Sequence, residues 1–274
     1  MTGPDPLAAV AQEAARVVTA MQEAGLPARL LGGLGVAAHD HVDAPASLIR
    51  NFADIDLVVR RKASRRTTEA LTQLGYTPNG GFNALHGAKR LLFYDTVNHR
   101  QLDVFVGELA MCHRLDLDGR LDQHPQALSA ADLLLTKLQI VELNHKDLLD
   151  AVRLLLNHEL TDTADERLDA EATDRLSTSR ITDVTRSDWG WHTTLADNLA
   201  KVANGIPQLL PGSQGDVVTE RVAAVHEAMS AAPKTARWKA RALAGRRIAW
   251  YELPEEVTAK GGITNAAPGG TNRG

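Results

Sequence analysis

Asn51-Phe-Ala-Asp-Ile-Asp-Leu-Val-Val59 decides the reading of this chain. Alternate residues of a strand face the same side, so Asp54 and Asp56 project together, about 7 Å apart along the backbone. Ile55 faces the other way, and Leu57, Val58 and Val59 continue an apolar strand. Two like charges side by side are unfavourable unless a cation sits between them or one takes a proton. Magnesium, which prefers carboxylate and phosphate oxygens, suits that need.

Upstream, Leu30-Leu-Gly-Gly-Leu-Gly-Val-Ala-Ala38 reads as a strand turning through Gly32 and Gly33 into a helix. Glycines there let the backbone approach a phosphate, and a helix start offers unpaired N–H groups to it. Downstream, Arg100-Gln-Leu-Asp-Val-Phe-Val106 is an apolar strand with one carboxylate, Asp103. Working outward, Pro6 to Ala24 has helical periodicity and stops at Gly25. Ser64 to Leu74 is a helix, and Lys89–Tyr94 and Arg100–Val106 form a hairpin turning at Asp95 to His99. Ser129 with Asp132 resembles a capping box, which opens a helix expected to run to Asn144. A second helix spans His145 to His158, and Glu159 to Asp188 reads as a solvated acidic helix with loops. Val217–Met229 and Thr235–Tyr251 are further helices. The expected fold is α/β (α+β): a small mixed-sheet domain over 1–125, a helical domain over 126–257, and a Gly-rich disordered tail over 258–274.

The glycine turn, the Asp-x-Asp strand and the later strand carboxylate together resemble the DNA polymerase beta-like nucleotidyltransferase superfamily. Most similar are its stand-alone bacterial members that include abortive-infection toxins. The likeness extends through Leu128–Leu138 and Asn144–Arg153, and so covers roughly residues 28 to 156. The chain departs from it in the longer stretch from Gly33 to Asp54, where Ala38-His-Asp-His-Val-Asp-Ala-Pro45 is inserted.

The resemblance implies transfer of a nucleoside monophosphate from a nucleoside triphosphate, ATP among them, to an acceptor hydroxyl. Two magnesium ions would be held by Asp54 and Asp56. Asp103 would complete the shell and help deprotonate the hydroxyl. Gly32 and Gly33 would cradle the triphosphate, and Lys137 would offset its charge. RNA, notably a tRNA 3′ end, and a neutralising antitoxin are the partners that the likeness suggests. The alternatives are a small-molecule transferase of the aminoglycoside kind and a catalytically silent binding module.

Other residues carry weaker signals. Lys137 beside Leu134, Leu135, Leu138 and Val141 equally suits a lysine that reaches past an apolar stripe to solvent. Lys146, Asp147 and Asp150 equally suit solvated helix charges or an intrahelical pair, and Arg50 and Arg90 are candidates to touch phosphate. His39, Asp40, His41 and Asp43 suit a flexible insertion better than a metal site. Trp189 and Trp191 read as packing anchors, and Trp238 as the aromatic to consider for RNA.

Composition bounds the rest. The 274 residues are 44% hydrophobic and 23% charged with a net charge of -4, an ordinary globular balance. Bulk charge therefore does not drive polyanion binding, although Lys234 to Arg247 holds six basic residues and no acid. The single Cys112 excludes an internal disulfide and reads as a small buried apolar side chain. No signal sequence or membrane span is evident, which leads to the expectation of a cytoplasmic protein.

Overall fold

The computed structural model describes residues 5–41, 45–163, 175–253, 255–257 and 263–265. In chain order, α1 (Val10–Glu23), β1 (Ala28–Leu31) and α2 (Gly32–Ala37) lead through a 3₁₀ turn (Ala46–Leu48) into β2 (Ile55–Val59). Next come α3 (Ser64–Gln73), β3 (Thr77–Pro78), α4 (Gly80–His86), β4 (Arg90–Asp95) and β5 (Arg100–Val106). A short hairpin of β6 (Glu108–Ala110) and β7 (Arg114–Asp116) leads to α5 (Ala130–Leu138) and α6 (His145–Asn157). Then follow β8 (Glu159–Thr161), β9 (Arg175–Ser177), α7 (Thr178–Ser187), α8 (Trp189–Leu209), α9 (Ser213–Ala231) and α10 (Ala236–Ala244). A ribbon of β10 (Glu255–Val257) and β11 (Ile263–Asn265) ends the described chain.

The five-stranded sheet has the order β1-β2-β5-β4-β3. Only β2 and β5 run parallel, with Asp56 opposite Asp103 and Val58 opposite Phe105. β1, β4 and β3 are antiparallel to their neighbours, so the sheet is mixed as the sequence implied. The strand pleat explains what each face does. Ile55, Leu57 and Val59 join Leu102, Val104 and Val106 in a core with Val17, Val18 and Met21 of α1. The opposite face carries Val58 and Phe105, which pack into the core shared by α5 to α9. Asp56 and Asp103 have the same parity as Val58 and Phe105, so the acidic pair lies on the helix-covered face.

Helix ends follow local chemistry. Ser129 caps α5 and accepts the Asp132 N–H, as the box predicts. The helix stops at Leu138 instead of Asn144. Beyond it, Asn198 of α8 donates to the carbonyls of Leu138 and Ile140, and Lys201 donates to that of Val141. Side chains thus take acceptors that a longer helix would satisfy internally. Asn144 then caps α6 by accepting the Asp147 N–H. The Thr235–Tyr251 helix also proves shorter. α10 ends at Ala244 because Gly245 has φ +55 and Arg241 reaches the carbonyls of Gly245 and Ile248. Part of the solvated acidic stretch is strand: Glu159–Thr161 pairs in parallel with Arg175–Ser177. Residues 164–174, and the expected tail apart from Ile263–Asn265, lie outside the described residues.

Candidate active site

Asp54 sits exposed just before β2, and Asp56 is the second residue of that strand. Neither accepts a hydrogen bond nor forms an ion pair among the described residues. Asp103, on the neighbouring strand, is buried to 3% exposure. Its Oδ1 accepts from Arg90 Nε at 2.8 Å, and Arg90 Nη2 lies 2.7 Å away in the same ion pair. Its Oδ2 accepts from Gln101 Nε2 at 2.6 Å. A carboxylate offers about four lone-pair sites, so at least one acceptor position of Asp103 stays open.

Crowding shows in the acidity of the pair. Burial first, and then the Asp103 charge, push the Asp56 carboxyl up to about 7, with Asp54 adding to the shift and Lys137 and Arg90 opposing it. Asp54 is raised for the same two reasons, with Lys146 opposing. A half-buried carboxylate without a donor, facing two others, is stabilised by a proton or a cation. Among the described residues, no three Asp, Glu, His or Cys side chains converge closely enough to hold a metal as they stand. The donor set nevertheless fits a hard cation: Asp54 and Asp56 are unpartnered oxygen ligands, and Asp103 keeps one free site.

The glycine turn meets this cluster directly. Gly32 has φ +64, and a Cβ there would collide with the Asp56 carboxylate. A Cβ on Gly33 would collide with the Arg50 guanidinium and come within 2.8 Å of the Phe52 ring. The insertion after Ala38 therefore leaves the turn against the acids. Arg50 already occupies the space above Gly33.

Arg50 leads to the layer behind. It pairs bidentately with Asp150 at 2.9 and 2.6 Å and stacks on Phe52, 4.8 Å from the ring centre. Lys137 Nζ lies 2.9 Å from both Asp147 and Asp150. This lysine is buried, and those two carboxylates hold its ammonium well above the usual lysine range despite desolvation. Lys137 thus does not reach solvent. Asp147 and Asp150, for which solvated helix charges are an equal reading of the sequence, are its anchors, and Asp150 is wholly buried. Two signals were readable. Asp150 falls within the apolar run Leu149–Leu156, and Gln101 lies two residues before Asp103 on the same strand face.

The other candidates lie elsewhere. His39 is buried against His124, with ring centres 4.2 Å apart, and bonds His158 at 3.0 Å, so the start of the insertion is packed instead of loose. Asp40 pairs with Arg153. Val42 to Ala44 lie outside the described residues. Trp191 is buried as expected, Trp189 only half-buried, and Cys112 is buried with its thiol pushed up by desolvation.

A mixed sheet whose acidic pair is set by strand register, with a glycine turn against it, is what the nucleotidyltransferase likeness implies. Residues 8–176 match the family described as an uncharacterised nucleotidyltransferase, and the chain belongs to that family. No curated protein matches it. Among the described residues, no helix is long and apolar enough to cross a membrane.

Proposed function

We propose that the protein is a magnesium-dependent nucleotidyltransferase whose site is the Asp54–Asp56–Asp103 cluster. One observation carries this reading: Asp56, raised to about 7, stands unpartnered between other carboxylates and directly against the Gly32 turn. An acceptor hydroxyl attacks the α-phosphorus of a nucleoside triphosphate, the bond to the β-phosphate bridging oxygen breaks, and pyrophosphate leaves. Asp54 and Asp56 would hold the cations, with Asp103 as third ligand. Paired magnesium ions supply charge stabilisation to the attacking and leaving oxygens.

The protein's own groups do the rest. Gly32 makes room for the Asp56 carboxylate and Gly33 for the Arg50 guanidinium, so both groups can lie against the turn that a phosphate would approach. Arg50 lies above Gly33, where it meets an incoming phosphate, and Asp150 fixes its guanidinium. Lys137, locked by Asp147 and Asp150, adds fixed positive charge behind Asp56. The hydroxyl's proton passes to a carboxylate of the cluster, Asp103 in the reading taken from the family. RNA is the proposed acceptor class, supported by the acid-free basic stretch Lys234 to Arg247 and by the likeness to toxin-type enzymes. That likeness also carries the proposal of a neutralising partner.

The test is transfer of α-labelled ATP, GTP, CTP and UTP with magnesium, onto total RNA and separately onto aminoglycosides. Label on RNA from wild type, reduced at least about a hundredfold in Asp54→Asn/Asp56→Asn, is the expected result. That loss corresponds to about 3 kcal/mol of transition-state stabilisation. Label on aminoglycosides alone would replace the acceptor class. Transfer that survives the double substitution would remove these aspartates from the mechanism.

A further inference from the structure

A cleft in the helical region shares no residue with the aspartate site. Its main cavity, about 510 Å³, lies between the β6–β7 turn, the start of α8, α10 and the irregular segment Ala249 to Glu252. A second cavity of about 320 Å³ shares Arg114, Asp188 and Arg237 with it, and a third of about 440 Å³ shares Trp250 and Tyr251. The three lobes form a run around the N-terminal half of α8.

The lining has two chemistries. Trp189, Trp250 and Tyr251 form aromatic walls, with Trp250 nearly perpendicular to each neighbour, at 6.0 Å and 80° and at 5.2 Å and 78°. Arg114 from β7 and Arg237 and Arg241 from α10 bring positive charge from two elements. Arg237 is exposed and makes no hydrogen bond or ion pair among the described residues. The carboxylate nearest Arg114 is Glu108 at 3.7 Å, too far for a hydrogen bond. Of the lining acids, Asp188 is committed to capping α8, where it accepts the Trp191 N–H.

The walls are held before any ligand arrives. Arg241 stacks 4.8 Å from the Trp189 ring centre while donating to the carbonyls of Gly245 and Ile248. Trp250 Nε1 donates to Thr194 Oγ1, and the Glu252 N–H donates to the Cys112 carbonyl. The carbonyl of Trp250 passes so close to Gly190 that a Cβ there would lie 2.6 Å from it. Outside, α10 buries none of its residues and turns Lys239, followed by Arg246 and Arg247, toward solvent.

We propose that this cleft is a second binding site, for a nucleoside phosphate. The aromatic walls would take the base, and Arg237, with its donors unspent, would take the phosphate. Base stacking on aromatic side chains beside a positive groove is how single-stranded nucleic acids are held without sequence readout. The ligand is a free nucleotide or one unit of a single strand, and the run of three lobes favours the strand. The site rests on the chemistry of the cleft alone and stands whether or not transfer occurs at the aspartates.

The experiment is equilibrium binding in EDTA, which keeps metal-dependent nucleotide binding out of the readout. The probes are a fluorescein-labelled eight-nucleotide single-stranded RNA, followed by anisotropy, and AMP, followed by calorimetry. Wild type is compared with Arg237→Ala, Arg237→Glu and, on the exposed face of α3, Arg65→Ala. Arg237→Ala is expected to weaken RNA binding about fivefold and to reduce the slope of log K against log salt by about 0.7, one phosphate contact on a single strand. Arg237→Glu should weaken it further, and Arg65→Ala should leave it unchanged. AMP binding that depends on Arg237, with RNA no tighter, would assign the site to free nucleotides. RNA bound far more tightly would assign it to a strand. Absence of binding by either probe, or equal effects of Arg237→Ala and Arg65→Ala, would overturn the proposal.

Discussion

At the scale of single residues, the decisive contact is Gly32 against Asp56. A side chain at Gly32 would have to take a left-handed φ and displace the carboxylate at once. Gly32→Ala is therefore expected to cost at least about 1–2 kcal/mol from backbone strain alone. Denaturant titration reads that loss, and transfer activity should fall with it. Asp56 carries the opposite expectation. Its folded acidity, about 7 against an ordinary 3.8, means that ionisation at pH 8 opposes folding. Asp56→Asn, which removes that charge, should raise Tm at pH 8 in EDTA. Magnesium should raise the Tm of wild type and leave that of the variant where it was. A magnesium effect that survives in Asp56→Asn would place the cation elsewhere.

At the scale of elements, the site is assembled by an ion network more than by the strands alone. Arg50 precedes β2, Lys137 sits in the last turn of α5, and Asp147 and Asp150 open α6. Asp150 joins all three, since it pairs with both cations while fully buried. Removing one partner from such a group leaves buried charge uncompensated, at a cost of about 3–5 kcal/mol. Asp150→Ala is expected to lose that much stability by urea unfolding. Adding Lys137→Met should recover part of it, because one orphaned cation is then gone. If the double variant is no more stable than the single one, Lys137 does not depend on Asp150. The same network explains why Lys137 acts through its charge and not by reaching out: both carboxylates restrain its ammonium on the side of α6.

For the molecule as a whole, pH response reports how the buried titratable groups are distributed. Burial pushes His113 and His192 down to about 4 and His124 and His158 to about 3, below the ordinary 6.5. A histidine held neutral in the fold stabilises fully above 6.5, and that contribution is lost as pH falls toward the folded value. Asp56 has the reverse sign: its contribution grows as pH falls from 7 to 3.8. Four histidines outweigh the two raised carboxylates Asp54 and Asp56, so stability should drop between pH 6.5 and 4, with the loss at His113 alone worth about 2 kcal/mol at pH 5. Chemical unfolding across that range checks it, and His113→Gln should flatten the profile. A wild-type profile already flat there would mean that these histidines titrate normally in the fold.

Much of this was legible in the sequence because the signals are local. Strand alternation placed Asp56 with Val58, the capping box opened α5, and Gly32 marked the turn that needs a positive φ. The linear pattern also put Asp103 on a second apolar strand. Only the fold decided that Asp56 and Asp103 are register partners, since the parallel pairing of β2 with β5 spans α3, β3, α4 and β4 between them. It decided too that α5 ends early, because its terminal carbonyls are claimed by Asn198 from a distant helix. The same holds for Asp150: a charge pattern along one helix cannot reveal a partner such as Arg50 that arrives from another part of the chain. Sequence periodicity determines which face a side chain takes, whereas burial and pairing across elements determine its charge, its acidity and what it is free to bind.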